Sequence, residues 1–352
     1  MADDLTQKSH AALARGLEWL LAQQSRDGAW HSQTYGALRG GAALTALGLY
    51  SLAQVPVDLN KAVPKSLEQA FAFLQLGLKK RGFVACPDGS LDYPTYGTAL
   101  VVSAARERKF GLEAAAKTKL IDWIASGQLH ETREFKEDSP HYGGWDLMGA
   151  SQVVGLTSDT TVSCSCYALE AIHDAPGKEI AKTLARARIW VQRCQDFAGD
   201  GGFWFSPDPK SINHKAGFRD DEQTQPKTYA SSTADGLRCM LYAGDPPEKR
   251  VTAATKWLGD HPEVKHVPGF DDPDDINGWG LGLRFYYYQS LARLLPEFTA
   301  SVAEKRRAAL LAELHRLQHR NGRWQNDASR MREDDPVIAT CLALTALSVL
   351  LR

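Results

Sequence analysis

The chain has 352 residues, of which 43% are hydrophobic and 24% charged, so it holds ample material for one large core. A formal net charge of −1 with no basic stripe excludes nucleic acid as a partner. No apolar run reaches the ~20 residues that span a bilayer.

The opening Met1-Ala2-Asp3-Asp4 lacks the basic start and apolar stretch of a signal peptide, unless one has been removed. The cysteines Cys86, Cys164, Cys166, Cys194, Cys239 and Cys341 are scattered rather than patterned. They read as small buried thiols, which fits a reduced, cytoplasmic setting.

Taken in chain order, one unit recurs six times: an amphipathic helix, a Gly/aromatic turn, then a small-residue apolar helix. The first copy (11–54) places a helix over 12–24, the turn Asp27-Gly28-Ala29-Trp30, and a helix over 40–53. In the second (62–109), helices over 66–78 and 96–106 flank Asp88-Gly89-Ser90-Leu91. The third (114–175) has 114–126, Tyr142-Gly143-Gly144-Trp145 and 160–173. The fourth (180–244) has 180–195, Gly201-Gly202-Phe203-Trp204-Phe205 and 228–243, with an insertion over 206–226. The fifth (248–297) runs 249–259, a turn through Gly269-Phe270 and Gly278-Trp279, then 281–295. The sixth (304–351) has 308–319, Asn321-Gly322-Arg323-Trp324 and 336–350.

First helices carry charge on one face, as with Arg186, Arg188 and Arg193. Second helices are almost uncharged, as in the run from Ala42 to Leu49. A helix that is apolar all round is buried on all sides. The pattern predicts an all-α fold, an α6/α6 toroid in which an inner ring of helices is wrapped by an outer ring, the whole chain forming one domain.

Gln24, Gly28 and Trp30 share the spacing Gln-x-x-x-Gly-x-Trp with Gln318, Gly322 and Trp324. This resembles the QW motif of squalene-hopene and oxidosqualene cyclases, in the terpenoid cyclase and protein prenyltransferase superfamily. The repeat resemblance covers nearly the whole chain. It implies a single-toroid, terpene cyclase-like isomerase that cyclises a prenyl or triterpene substrate in its lumen by acid initiation. Squalene-hopene cyclases use two toroids with the substrate between them. A chain with material for one either works with a second toroid or protein partner, uses its own lumen on a smaller hydrophobic molecule, or has lost the chemistry.

In a ring of hairpins the turns entering the inner helices converge on one mouth, making their polar residues candidates: Tyr93, Tyr96, Ser158, Asp159, Lys227, Tyr229, Trp279 and Glu333 among them. Asp272-Pro273-Asp274-Asp275 spells the Asp-x-Asp-Asp of class II cyclases, and the resemblance assigns the acid to Asp274. Such an acid must stay neutral, which neighbouring carboxylates such as Asp272 and Asp275 favour by like-charge repulsion. Pro273 and Ile276 depart from the usual motif. The string also spells Asp-Asp-x-x-Asp, so a bound cation and a solvated turn stay open. Asp334 and Asp335, before the last inner helix, and Asp159, before the third, are either site residues or helix-start caps.

Aromatic faces stabilise carbocations without attacking them. Tyr96, Trp145, Tyr229, Trp279 and Tyr287 are the candidates for substrate binding, with core packing the alternative. Of Phe285-Tyr286-Tyr287-Tyr288, one or two can face a lumen. His315 and His319 fall on a charged outer face, and Cys164-Ser165-Cys166-Tyr167 lacks the Asp-x-Cys and His of a prenyltransferase zinc site. No metal and no cofactor are expected.

Two other classes stay open. A carbohydrate-active toroid would pair Asp274 or Asp275 with Asp334 or Asp335 as acid and base, with Trp204 and Trp279 stacking on sugars. A non-catalytic toroid would bind a hydrophobic ligand or a protein, with 206–226 as its lid or contact loop.

Overall fold

A computed structural model describes residues 2–56, 59–150, 159–211, 214–270 and 278–352. The helices follow in pairs: α1 (Ala2–Ala22) and α2 (Ala42–Gln54), α3 (Val63–Arg81) and α4 (Pro94–Glu107), α5 (Ala114–Ser126) and α6 (Val162–Ile172). The second half continues with α7 (Lys178–Arg193) and α8 (Ala230–Ala243), α9 (Glu248–Asp260) with the short α10 (Trp279–Gly282) and α11 (Arg284–Ala292), then α12 (Ala300–Leu317) and α13 (Pro336–Leu350). Among the described residues there is no strand beyond two isolated bridges.

Six helices form a closed inner ring. α2 packs on α4, α4 on α6, α6 on α8, α8 on α11, α11 on α13, and α13 back on α2. Composition explains the sorting. α13 buries residues on every side, from Val337 through Leu350, whereas α7 buries a stripe of Ile180, Thr183, Ala187, Trp190 and Val191. Helical spacing of that stripe leaves α7 a wet face, so it must lie outside.

The recurring turn couples the first hairpin to the second, the third to the fourth, the fourth to the fifth and the sixth to the first. Gln24 Nε2 donates to the carbonyl of Gly28 in its own turn (2.8 Å) and to that of Ser66 on α3 (3.0 Å). Gln128 does the same with Gly143 (2.9 Å) and Thr183 on α7 (2.8 Å), and Gln195 with Gly201 (3.0 Å) and Arg250 on α9 (2.9 Å). Gln318 bonds Gly322 and, across the seam, the carbonyl of Ala12 on α1, both at 2.8 Å. The turn glycines adopt a left-handed conformation, φ +89° at Gly28 and +94° at Gly322. A Cβ there would lie 2.3 Å from the Gln69 carbonyl oxygen or 2.4 Å from that of Arg15, so no other residue fits.

The tryptophans fasten the turn to both rings. Trp30 Nε1 donates to Leu20 of α1 (2.9 Å) while its backbone N–H donates to Thr45 Oγ1 on α2 (3.0 Å). Trp145 repeats this with Ile124 and Ser165, and Trp324 with Leu314 and Thr340. The sequence pattern had revealed Gln24 and Gln318 alone. Gln128 and Gln195 stand at other distances from their glycines and belong to the same device.

α12 begins at Ala300 rather than 308, and two further helices differ from the sequence expectation. α1 begins at Ala2, and the fifth inner helix is interrupted at Leu283 rather than continuous over 281–295. Gly280 and Gly282 weaken helix propagation there. The restart is capped from outside: Glu333 accepts from the backbone N–H of Phe285 (3.0 Å) and Tyr286 (2.8 Å).

If the glutamines hold the ring closed, Gln318→Ala leaves two carbonyls unpaired at the seam between the last and first hairpins. Urea unfolding should show a loss of about 1–3 kcal/mol. A variant as stable as the parent would show that packing alone closes the seam.

Candidate functional site

The turns that enter the inner helices meet at one end of the ring around a cavity of about 410 Å³, within the range of small-molecule sites. Its apolar wall comes from inner-helix residues, among them Leu44 and Leu47 of α2, Leu100 of α4 and Ile338 and Leu342 of α13. Aromatic surface is added by Tyr93, Tyr96, Tyr167, Phe205, Trp279 and Tyr286. Three cationic side chains, Lys215, Arg330 and Arg332, also reach the wall. Among the described residues no carboxylate lines this cavity.

Beyond the cavity the inner ring is crossed by a buried polar brace. Arg238 pairs with Glu170 (2.6 Å) and Asp235 (3.1 Å). Tyr50 donates to Glu170 (2.6 Å), Ser290 donates to Asp235 (2.5 Å), and Arg293 donates to the Tyr50 hydroxyl (2.5 Å). Burial alone would raise the Glu170 carboxyl, but Arg238 and Arg293 outweigh it and hold it below the usual range. Tyr286 joins the two regions, since it lines the cavity and donates its hydroxyl to Asp235.

The mouth holds two strained residues. Tyr93 (φ +52°) and Arg332 (φ +61°) both adopt a left-handed backbone without being glycine. The Arg332 guanidinium lies 5.1 Å from the ring centres of both Tyr35 and Tyr93. Its Nη1 is buried and has no hydrogen-bond partner among the described residues. A buried donor of this kind can be satisfied by a water, an ion or a ligand.

Of the aromatic candidates, Tyr96 and Trp279 line the cavity, Tyr96 sharing a hydrogen bond with Ser163. Tyr229 lines a small side chamber with Ser232 and Asp235. Trp145 is fully buried and fastened to the outer helix α5, away from the wall. Tyr287 is also fully buried and off the wall, because the α11 register turns Tyr286 to the lumen and its neighbours into the helix interfaces.

The acidic candidates have local partners. Asp335 caps α13 by accepting from Val337 N–H (2.9 Å) and takes the Ser32 hydroxyl. Asp334 accepts from the Tyr35 hydroxyl, and Asp159 from Ser211 (2.6 Å). Asp272, Asp274 and Asp275 lie outside the described residues. Lys215, Arg330 and Arg332 went unremarked as site residues in the sequence because each lies in an irregular loop, where no periodicity indicates which way a side chain points.

The fold is a single α/α toroid similar to that of type II terpene cyclases. The chain superposes on an apo point variant of the type II terpene cyclase MstE from Scytonema with a TM-score of 0.66 and 15% identity, covering 100% of this chain and 98% of that one. Another MstE variant, solved with its substrate geranylgeranyl dihydroxybenzoate, gives 0.63 at 15% identity over 100% and 98%. A glycosidase variant gives 0.52 at 15% identity over 100% and 97%. No protein-family model and no curated protein sequence matches the chain.

Glu333, which starts α11 and so sets Tyr286 in the wall, has its carboxyl raised by burial from 4.5 to about 7, despite the N–H donors of Tyr286 and Phe285. A carboxyl raised on folding favours the folded state while protonated, so its contribution fades as pH rises from about 4.5 to about 7. The difference in unfolding free energy between the parent and Glu333→Gln should therefore move in the variant's favour between about pH 5 and about pH 8. A difference constant across that interval in urea unfolding would disprove the assignment.

Proposed function

We propose that the chain is a terpene cyclase-like catalyst that holds a prenyl substrate with an anionic head in its lumen and cyclises it by acid initiation. The observation that carries this reading is an apolar, tyrosine-rich lumen with an Arg332 donor, unpartnered among the described residues, at its mouth. The prenyl chain takes the apolar wall, and the head accepts from Arg332 with Arg330 beside it. Tyr93, Tyr96, Tyr167 and Tyr286 offer their faces to positive charge as it develops along the chain. The substrate carried by MstE, a geranylgeranyl chain on a dihydroxybenzoate, has this kind of chemistry.

The initiating proton is assigned to Asp274, kept neutral by Asp272 and Asp275, in the segment leading into Trp279. Its transfer to a terminal alkene carbon leaves a tertiary cation, which the next double bond attacks to close a ring. Loss of a proton from the neighbouring carbon ends the sequence with an alkene. Asp159, Asp334 and Asp335 then act as positioning residues that fix the loops of the mouth.

Length poses no obstacle, since the MstE chain is covered over 98% of its own extent. A second toroid or protein partner is not required by this reading. The carbohydrate-active alternative asks for two carboxylates facing one groove, and the described wall offers it no such pair. The described residues include no helix long and apolar enough to cross a membrane, and the six cysteines are buried and unpaired. A reducing cytoplasmic location fits those thiols.

Incubation with farnesyl and geranylgeranyl diphosphate, squalene and a prenylated hydroxybenzoate, read by mass spectrometry, should give a cyclic isomer of unchanged mass. Asp274→Asn should abolish it, and Arg332→Ala should raise KM about 10- to 100-fold without changing the product. No isomer from any of the four would overturn the reading.

A further inference from the structure

Lys215 has no role in that reaction, and a charged amine inside a lumen built for cations would oppose it. The residue reaches the wall because its loop folds back on itself. His214 bonds the Asp208 carbonyl (2.7 Å), Gly217 N–H donates to the His214 carbonyl (2.9 Å), and Lys227 N–H donates to the Gly217 carbonyl (2.9 Å). The side chain then borders both the main cavity and the side chamber.

Its Nζ lies 3.1 Å from the centre of the Phe205 ring and 5.4 Å from that of Trp279. No carboxylate pairs with it among the described residues. With no counter-ion among the described residues, removal from water pulls the amine down to about 7, so a large fraction is neutral at physiological pH. A neutral amine in an apolar chamber is a nucleophile, whereas exposed lysines are almost wholly protonated. Thr161 and Ser163 place hydroxyls on the same wall.

We propose that Lys215 is a covalent site for hydrophobic carbonyl compounds, an aldehyde on a prenyl or long alkyl chain, which it binds in the lumen as a reversible imine. The Nζ lone pair forms a bond to the carbonyl carbon as the C=O π pair moves to oxygen, which takes up a proton. The amine loses two protons in all, and the oxygen departs as water when the C=N bond forms. No oxidant or other co-reactant is needed. The site requires the lumen and not the cyclisation, so either can fail without the other.

The test is to incubate the whole protein with farnesal and cyanoborohydride at neutral pH and map the adducts by peptide mass spectrometry. Lys215 should be labelled at least about 10-fold faster than exposed lysines such as Lys256, with a rate rising through about pH 7. Lys215→Arg, which keeps approximate length but cannot form the imine, should lose that adduct while remaining folded. Glyoxylate, an aldehyde without an apolar chain, should show no preference for Lys215. Equal labelling of Lys215 and surface lysines in the parent protein overturns the proposal, whatever the variant does. So does an undiminished total adduct in a folded Lys215→Arg.

Discussion

The structure depends on a side-chain amide that bonds two carbonyls at once, one in its own turn and one on the next outer helix. An amide NH₂ has two donors, so Gln24, Gln128, Gln195 and Gln318 can each satisfy both carbonyls at once. Each bond is modest in net value, but a carbonyl left buried without a partner would be costly. The same device, used at three junctions between hairpins and once more at the seam, helps turn an open row of helix pairs into a ring. A closed ring differs from an open solenoid in having a single interior, and the cavity follows from that.

The interior is divided by polarity. One end is the aromatic cavity, and further in lies the brace of Glu170, Arg238, Asp235, Tyr50 and Arg293 on α2, α6, α8 and α11. A buried ion pair gives uncertain stability because desolvation offsets its attraction. Here every carboxylate has both an arginine and a hydroxyl partner, and the brace ties four inner helices into a fixed geometry. Since it consumes the deep carboxylates, it also accounts for the lack of one among the described residues of the main cavity wall. Positive charge at that wall is then met by ring faces, and cationic side chains are confined to the turns and the folded-back loop.

The fold was legible in the sequence because its cause is local. Uncharged helices such as Ala42–Gln54 can only be buried, helices such as Lys178–Arg193 need one wet face, and Gly28 and Gly322 occupy turns that exclude a Cβ. Tyr96 and Trp279 flank the starts of inner helices, which a ring must gather at one mouth, and both line the cavity. Trp145 was assigned to binding on the same logic and is instead a fastener between rings, because its indole N–H finds an outer-helix carbonyl. Tyr286 rather than Tyr287 faces the lumen because the helix break at Leu283 resets the register.

By itself the sequence determined the helix pairs and their sorting into buried and half-wet helices, since each follows from burial patterns within a few turns of chain. Tertiary structure alone decided which polar groups meet. Arg332 lies against Tyr93 and Lys215 over Phe205, and Asp335 is committed to the α13 cap, through loop paths with no periodicity. Hydrophobic order is written residue by residue, whereas the pairing of side chains far apart in sequence exists only once the ring has closed.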